Sequence, residues 1–315
     1  MADPNVGDFL KVMKTKFARC LEPTMSCTNQ PIKAHSVQNS TALGFIVENG
    51  HVMELRTTIR KGELKVEFTD VGRNEASTFL GFCNQHDTQI FVPIDTKPLS
   101  FTDPEQLFLL AYRSVTRELH ATMQGGLQAQ TALVGAVKRG QVSENEVSPT
   151  MVAATMELMK SWVVYRYRAK FFDMALVRGR YTDIKHSVFI IKGEPKIACS
   201  AFFGVEFRRP GKLFPAVCLN IVPIGEDETA VIFSYASEDS GKVRRFIAPV
   251  MLQQDETAKL LQLSHLIVNN AENFFLRPSV VARWTEEKKS YLISAFLSTI
   301  DRKMDAAFDE RQMLF

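Results

Sequence analysis

Hydrophobic and polar positions change their period along this chain, and the changes divide it. From Asp103 onward Leu107, Phe108, Ala111, Val115 and Leu119 recur three or four residues apart, the spacing of one helix face. Asp103 suits the N-cap, Pro104 the first helical position and Glu105 the first turn. Gly125-Gly126 predicts the end of that helix, and "LQAQTALVGAVKRG" predicts a second one closing at Gly140. "SPTMVAATMELMKSWVVYRYRAKFFDMALVRGR" predicts a third from about Pro149 to Arg178. Past Tyr181 the period shortens. "HSVFIIKG", "IACSAFFGVEF", "AVCLNIVPI" and "TAVIFSYAS" read as strands, separated by the turns "KGEPK", "RRPGK" and "IGEDE". Turns this closely spaced, with no helices between them, predict an antiparallel sheet. Two helices, over about 255–275 and 284–309, close the chain.

The first 95 or so residues carry no long helical pattern. "RTTIRKGELKVEFTDVGRN" alternates as a hairpin around Lys61-Gly62. This predicts a module of short strands with little apolar area of its own, which needs a staple such as a metal. The expected division is 1–98 for this module and 99–315 for a body of helices, antiparallel sheet and closing helices: an α+β chain.

The bulk composition narrows the function classes. With 315 residues, 45% hydrophobic and 23% charged, the chain has enough apolar material for a sizeable core. A net charge of +3 allows a local nucleic-acid contact without arguing for one globally. The start lacks the apolar core of a signal peptide, and no apolar run reaches membrane-spanning length. Five cysteines in such a chain point to a reducing cytoplasm, where thiols bind metal more often than they pair. Walker loops, G-x-G-x-x-G after a strand, G-x-S-x-G elbows and H-E-x-x-H are all missing, which weighs against NTP hydrolysis, dinucleotide redox chemistry, serine hydrolysis and zincin proteolysis.

The cysteines supply the strongest candidate chemistry. Cys20 and Cys27 are separated by six residues including Pro23, and Cys83 and His86 form a C-x2-H pair. Three thiolates and one imidazole suit tetrahedral Zn2+. The C-x2-H spacing is what a first helical turn or a tight knuckle needs to aim both ligands inward. The alternative is that Cys20 and Cys27 are small core residues and His86 a surface cap. A structural zinc would contribute on the order of 10 kcal/mol of folding free energy to an otherwise apolar-poor segment. Cys199 and Cys218 lie in strand-like apolar runs and are expected in the core.

Together with the cysteine spacing, "IKAHSVQNS", "ENGHV" and "NEASTFLGFCNQHD" resemble the treble-clef zinc fingers of the HNH nuclease superfamily. With "LLAYRSVTRELH", "ACSAFFGVEF", "LNIVPI" and "NNAENFFLRPS" added, the resemblance extends over nearly the whole chain, to bacterial zinc-finger ribonucleases of anti-phage defence activated on ring-shaped phage assemblies. The resemblance implies a structural Zn2+, an RNA substrate, a phage-derived oligomeric trigger protein and a homo-oligomer. It also implies that His35 stands where a histidine activates water or steers the nucleophile, with Asn74 or Asn39 matching the middle asparagine. Ser36 departs from the pattern, since such enzymes usually place a second metal-ligating histidine there. His35 therefore stays open between a functional residue, an extra or substitute zinc ligand, and a structural one. A non-catalytic zinc-finger adaptor and an HNH-like DNase are the alternative readings.

Two further stretches carry charge suited to RNA. Arg113, Arg117 and His120 recur at i, i+4 and i+7 and are expected along an exposed helix ridge. There a base and two guanidinium groups would serve phosphodiester cleavage, or would form only a solvated face. Arg166, Arg168, Lys170, Arg178, Arg180 and Lys185 are interleaved with Trp162, Tyr165, Phe171 and Phe172. Those aromatics fit base stacking or core packing alike. Arg208-Arg209 are read as turn residues available to phosphate.

Overall fold

In a computed structural model of the chain, the described residues are 12, 14–60, 63–143, 147–206, 213–300 and 306–315. The elements run β1 (Pro31–His35), β2 (His51–Arg60), β3 (Glu63–Gly72), β4 (Thr78–Cys83), α1 (Asn84–Asp95), α2 (Pro104–Lys138) and α3 (Pro149–Arg168). A π-helical stretch, Ala169–Asp173, continues α3 into α4 (Met174–Val177). Then follow β5 (Ile184–Lys192), β6 (Ile197–Gly204), β7 (Ala216–Pro223), β8 (Glu228–Ala236), α5 (Ser240–Met251), α6 (Glu256–Asn270), β9 (Phe274–Leu276), α7 (Pro278–Ala282) and α8 (Glu286–Ile300). The class is α+β. Among the described residues, no helix is long and apolar enough to cross a membrane.

Two compact units emerge, neither continuous in sequence. One comprises residues 1–34, 79–91 and 115–180, the other 35–78, 92–114 and 181–315. The amino-terminal 98 residues are thus shared between the units, because the hairpin β2–β3 finds its partner in the large sheet. That sheet has the order β3-β2-β9-β6-β7-β8-β5, with antiparallel neighbours throughout. β2 and β3 pair in the alternating register expected, from His51↔Gly72 to Arg60↔Glu63. The Lys61-Gly62 turn itself, like Arg208-Arg209, lies outside the described residues.

Within this second unit the sheet is covered on both faces, which explains why β7 is buried at every position. Ile197, Cys199, Val217, Leu219, Ile221, Val231 and Phe233 join one hydrophobic core with Val243, Ile247, Leu263 and Ile267 of α5 and α6. Alternate strand residues point the other way and meet the beginning of α2. There the Cys218 thiol hydrogen-bonds the Ala111 carbonyl (3.4 Å), and Ser114 Oγ contacts Ser200 Oγ (2.8 Å) and donates to Asn220 Oδ1 (2.9 Å). Cys199 and Cys218 are core residues, as their apolar runs predict. Asn273 continues this buried polar seam: its Nδ2 donates to Ser36 Oγ (3.0 Å) and to the Ser200 carbonyl (2.8 Å).

In the first unit the two-stranded sheet β1–β4 lies at the amino-terminal side and the helices follow. The start of α2 is capped as its sequence predicts, with Asp103 Oδ1 accepting from the N–H groups of Glu105 (2.9 Å) and Gln106 (3.3 Å). Leu107, Phe108, Ala111, Val115 and Leu119 are all buried. The Gly125-Gly126 pair does not end a helix, however; α2 is one rod of 35 residues. A Cβ at Gly126 would meet Leu158 Cδ2 at 3.4 Å and Ser161 Oγ at 3.6 Å, and one at Gly125 would meet Glu157 Oε2 at 3.2 Å. The pair faces α3, where a Cβ at Gly126 would make ordinary contacts and one at Gly125 would ask the Glu157 carboxylate to move by a few tenths of an ångström. The helix runs through both glycines despite their propensity cost of about 1 kcal/mol each. Ser148 caps α3, accepting from Met151 N–H (3.1 Å), and the helix runs on through the π stretch to Val177, near the expected end at Arg178. α5 was hidden in the sequence by Pro249, although Val243, Ile247 and Val250 keep helical spacing.

Asn273→Ala removes both donors that join Ser36 to the β6 backbone. It should lower the unfolding free energy by about 2 kcal/mol, measured by chemical denaturation. An unchanged midpoint would show that the seam contributes nothing.

Candidate metal centre

The chain at Cys20 is tied to β4 by a hydrogen bond from Leu21 N–H to the Gly81 carbonyl (2.7 Å). The chain then turns, with Met25 N–H donating to the Glu22 carbonyl (2.9 Å) and Met25 in the left-handed region at φ 57. The Glu22 side chain, 5% exposed, holds this turn from inside. Its carboxylate accepts from the backbone N–H groups of Thr24 (2.7 Å), Ser26 (2.6 Å) and Cys27 (3.1 Å), and from the Thr24 hydroxyl (2.7 Å). Cys27 is thereby delivered beside Cys20. From the other side, β4 ends at Cys83 and α1 begins at Asn84, which places His86 in the first helical turn.

The four donor atoms of Cys20, Cys27, Cys83 and His86 lie within 4.8 Å of one another. His86 Nδ1 is 3.4 Å from Cys20 Sγ and 3.3 Å from Cys83 Sγ, and the Sγ atoms of Cys27 and Cys83 are 3.9 Å apart. A tetrahedral ion bound at about 2.3 Å from sulfur and 2.0–2.1 Å from nitrogen separates its ligands by about 3.5–3.8 Å. The arrangement therefore fits a metal ion, and the three thiols are unpaired by disulfide. No other such group of His, Cys, Asp and Glu occurs among the described residues.

The surroundings pull the thiols apart. Burial pushes Cys20 up to about 12 against hydrogen bonds from the backbone of Cys83 and Glu22; the Cys83 N–H reaches Cys20 Sγ at 3.4 Å. Burial opposes ionisation of Cys83 as well, but the His86 backbone N–H and the neighbouring thiols and imidazole bring it down to about 7. Cys83 is thus ionised more readily than Cys20. Glu22 is held near 2: burial would raise it, and the hydrogen bonds from Thr24, Ser26 and Cys27 outweigh that.

Behind the turn stands Arg168, 0% exposed and the largest fully buried side chain. Its guanidinium donates to the Leu21 carbonyl (2.9 Å) and to Thr116 Oγ1 of α2 (3.4 Å), pairs with Asp173 (3.2 Å) and touches Met25 Sδ (3.6 Å). One side chain therefore ties the cysteine turn to two helices. The sequence reading missed both Glu22 and Arg168, placing Arg168 among residues available to phosphate. The signal for Glu22 was a carboxylate two residues past a cysteine in a loop rich in Thr and Ser.

The proposed ridge on α2 is not an exposed one. Arg113 is 3% exposed and bidentate to Asp95, at 2.9 and 2.7 Å. Arg117 pairs with Glu118 at 3.6 Å. His120 donates from Nε2 to the Phe17 carbonyl (3.0 Å), lies edge-on to Phe17 and Phe79, and burial lowers it to about 4. The helix buries a wider face than the five-residue stripe indicated.

His35 is not in the four-donor group. Its Nδ1 faces the Ala76 carbonyl (3.0 Å) and Ser77 Oγ (3.2 Å), which fixes the proton on Nδ1 and leaves the lone pair on Nε2. Burial lowers its pKa, Arg113 acts in the same sense, and the Ala76 hydrogen bond and the Asp95 and Glu75 carboxylates oppose them. Ser77 holds a left-handed φ of 61 in this contact. Ser36 donates to the Ser77 carbonyl (3.0 Å). Asn39 and Asn74, the two candidate asparagines, are joined by a hydrogen bond of 3.0 Å. No known protein family, curated protein or solved structure matches this chain.

Cys83→Ser should abolish stoichiometric metal retention, measured by atomic absorption on the purified protein; retention at the wild-type level would remove the assignment. Glu22→Gln should weaken metal affinity about 10- to 100-fold, measured by competition with a chromogenic chelator. Because the folded pKa of Glu22 is depressed, its contribution is complete above about 4.5 and is lost as pH falls toward 2. The stability difference between wild type and Glu22→Gln should therefore be flat above that upper value and shrink below it.

Proposed function

We propose that Cys20, Cys27, Cys83 and His86 hold a structural Zn2+ in a treble-clef-like finger, and that the chain is a nucleic-acid effector that cleaves RNA. The observation that carries the first part is the donor set: four protein ligands at tetrahedral spacing complete the coordination of zinc and leave no position for substrate. A turn bearing two cysteines, a strand ending in the third and a helix starting before the histidine is the order of a treble clef. Zinc in such a closed site supplies folding free energy and orients the segments around it.

The chemistry then falls to side chains outside the ligand set, and His35 is the best supported. It is neutral at physiological pH, its proton is fixed on Nδ1 by a backbone carbonyl, and Nε2 is the available base. In RNA cleavage that nitrogen accepts the proton of a ribose 2′-hydroxyl. The 2′-oxygen bonds to the adjacent phosphorus and the 5′-oxygen leaves, giving a cyclic phosphate end. Resemblance to ring-activated anti-phage ribonucleases supports RNA as substrate, a phage-derived oligomeric protein as trigger, and a gated resting state. Ser36 supports the second reading, a non-catalytic zinc-finger adaptor: it occupies the position of the second histidine and is committed to the Ser77 carbonyl.

Induced in bacterial cells together with a phage ring assembly, the wild type should arrest growth and fragment RNA. His35→Ala should reduce cleavage at least 100-fold while keeping its zinc. The rate should fall as pH drops, with a midpoint below the ordinary histidine value of about 6.5, because burial lowers the pKa of His35. Intact RNA with the wild type, or equal cleavage by His35→Ala, would overturn the catalytic reading and leave the adaptor.

A further inference from the structure

We infer that the exposed side of α3, centred on Trp162, Tyr165 and Arg166, is a platform that stacks the bases of single-stranded RNA. The inference rests on the reading of RNA as this protein's ligand and adds the surface that holds it.

The stretch from Glu157 to Arg180 separates in space into two sets. Tyr167, Arg168, Phe172 and Asp173 turn inward and are buried. Trp162, by contrast, is 57% exposed, an unusual outlay of apolar area for the largest aromatic side chain. Its ring lies against Tyr165 at 5.7 Å and 29°, nearly parallel, and the Arg166 guanidinium stands 5.9 Å from the Trp162 centroid. One position further round, Lys170 Nζ sits 4.3 Å from the Phe171 ring. Exposed rings beside cations are what an unpaired nucleotide chain requires, since every base offers a π face and every linkage an anion.

Charge decides between occupants of this face. The acids of the stretch are Glu157 and Asp173; Glu157 is taken by Lys160, and Asp173 by the buried Arg168. Neither remains to neutralise Arg166, which stands against the exposed Trp162 ring, so the face is cationic where it is aromatic. Val152, Met156 and Met159, nearer the start of the same helix, are also exposed and would suit a protein partner. They carry none of the positive charge. A polyanion with stackable faces satisfies both features of the Trp162 end.

The test is anisotropy of the full-length, zinc-loaded protein with a fluorescein-labelled 2′-O-methyl oligouridylate, which lacks the 2′-hydroxyl and cannot be cleaved. Trp162→Ala should weaken binding about tenfold or more, and Trp162→Phe should restore most of it. Arg166→Ala should lower the slope of log affinity against log salt by about 0.7, the loss of one phosphate contact. Trp284→Phe, at the other tryptophan, should change neither. Zinc content and circular dichroism equal to wild type establish that the variants are folded. If the wild type binds and Trp162→Ala binds within twofold of it, the platform is overturned while RNA remains the ligand. If the wild type binds no RNA, the RNA reading fails and takes the platform with it. If Trp162→Ala alters only self-association in sedimentation, the face docks protein and the proposal is wrong.

Discussion

Three sulfurs and an imidazole nitrogen come together in a space less than 5 Å across, a donor set that fits a metal ion. The turn, strand end and helix start around them all serve to bring those atoms together. A turn must reverse within six residues, a strand must stop at Cys83, and a helix must begin at the next residue. Two charged side chains with no metal contact of their own make this geometry repeatable. Glu22 satisfies three backbone donors of the turn from within, and Arg168 fixes its outer carbonyl to the helices. Buried charges of this kind are costly unless fully partnered, and both are.

The second unit solves a different problem. Its sheet is covered on both sides, so alternate strand residues face different neighbours: an aliphatic core toward α5 and α6, and a seam of Ser, Asn and Cys toward α2. Most polar groups at such depth find one another across elements distant in sequence, although Asn220 Nδ2 has no hydrogen-bond partner among the described residues. Specificity follows, since a slipped strand would leave the Ser114, Ser200 and Asn220 groups without partners.

Much of this could be read from the residues alone. The strands after Tyr181, the capped start of α2, the hairpin β2–β3 and the convergence of Cys20, Cys27, Cys83 and His86 follow from period, capping chemistry and ligand spacing. What escaped was whatever depends on long-range packing. Gly125-Gly126 looks like a stop until the helix is seen to run on through it beside α3. Arg113 and His120 look like solvent-facing groups until Asp95 and two phenylalanines enclose them. The division of the first 98 residues between units depends on which sheet accepts β2 and β3, and a sequence window carries no such information.

The single wide turn at Ala169–Asp173 resolves a conflict of phase. An unbroken α-helix would set inward-facing positions three or four apart, whereas Arg168 and Asp173 are five apart and both point inside. By absorbing one residue more than a regular turn holds, the rod shifts the phase of its remainder. Trp162 and Arg168 both precede this stretch and already lie on different sides of α3. The extra residue instead brings Asp173 round to the buried guanidinium, so the arginine beneath the cysteine loop carries its counter-charge on the same continuous rod.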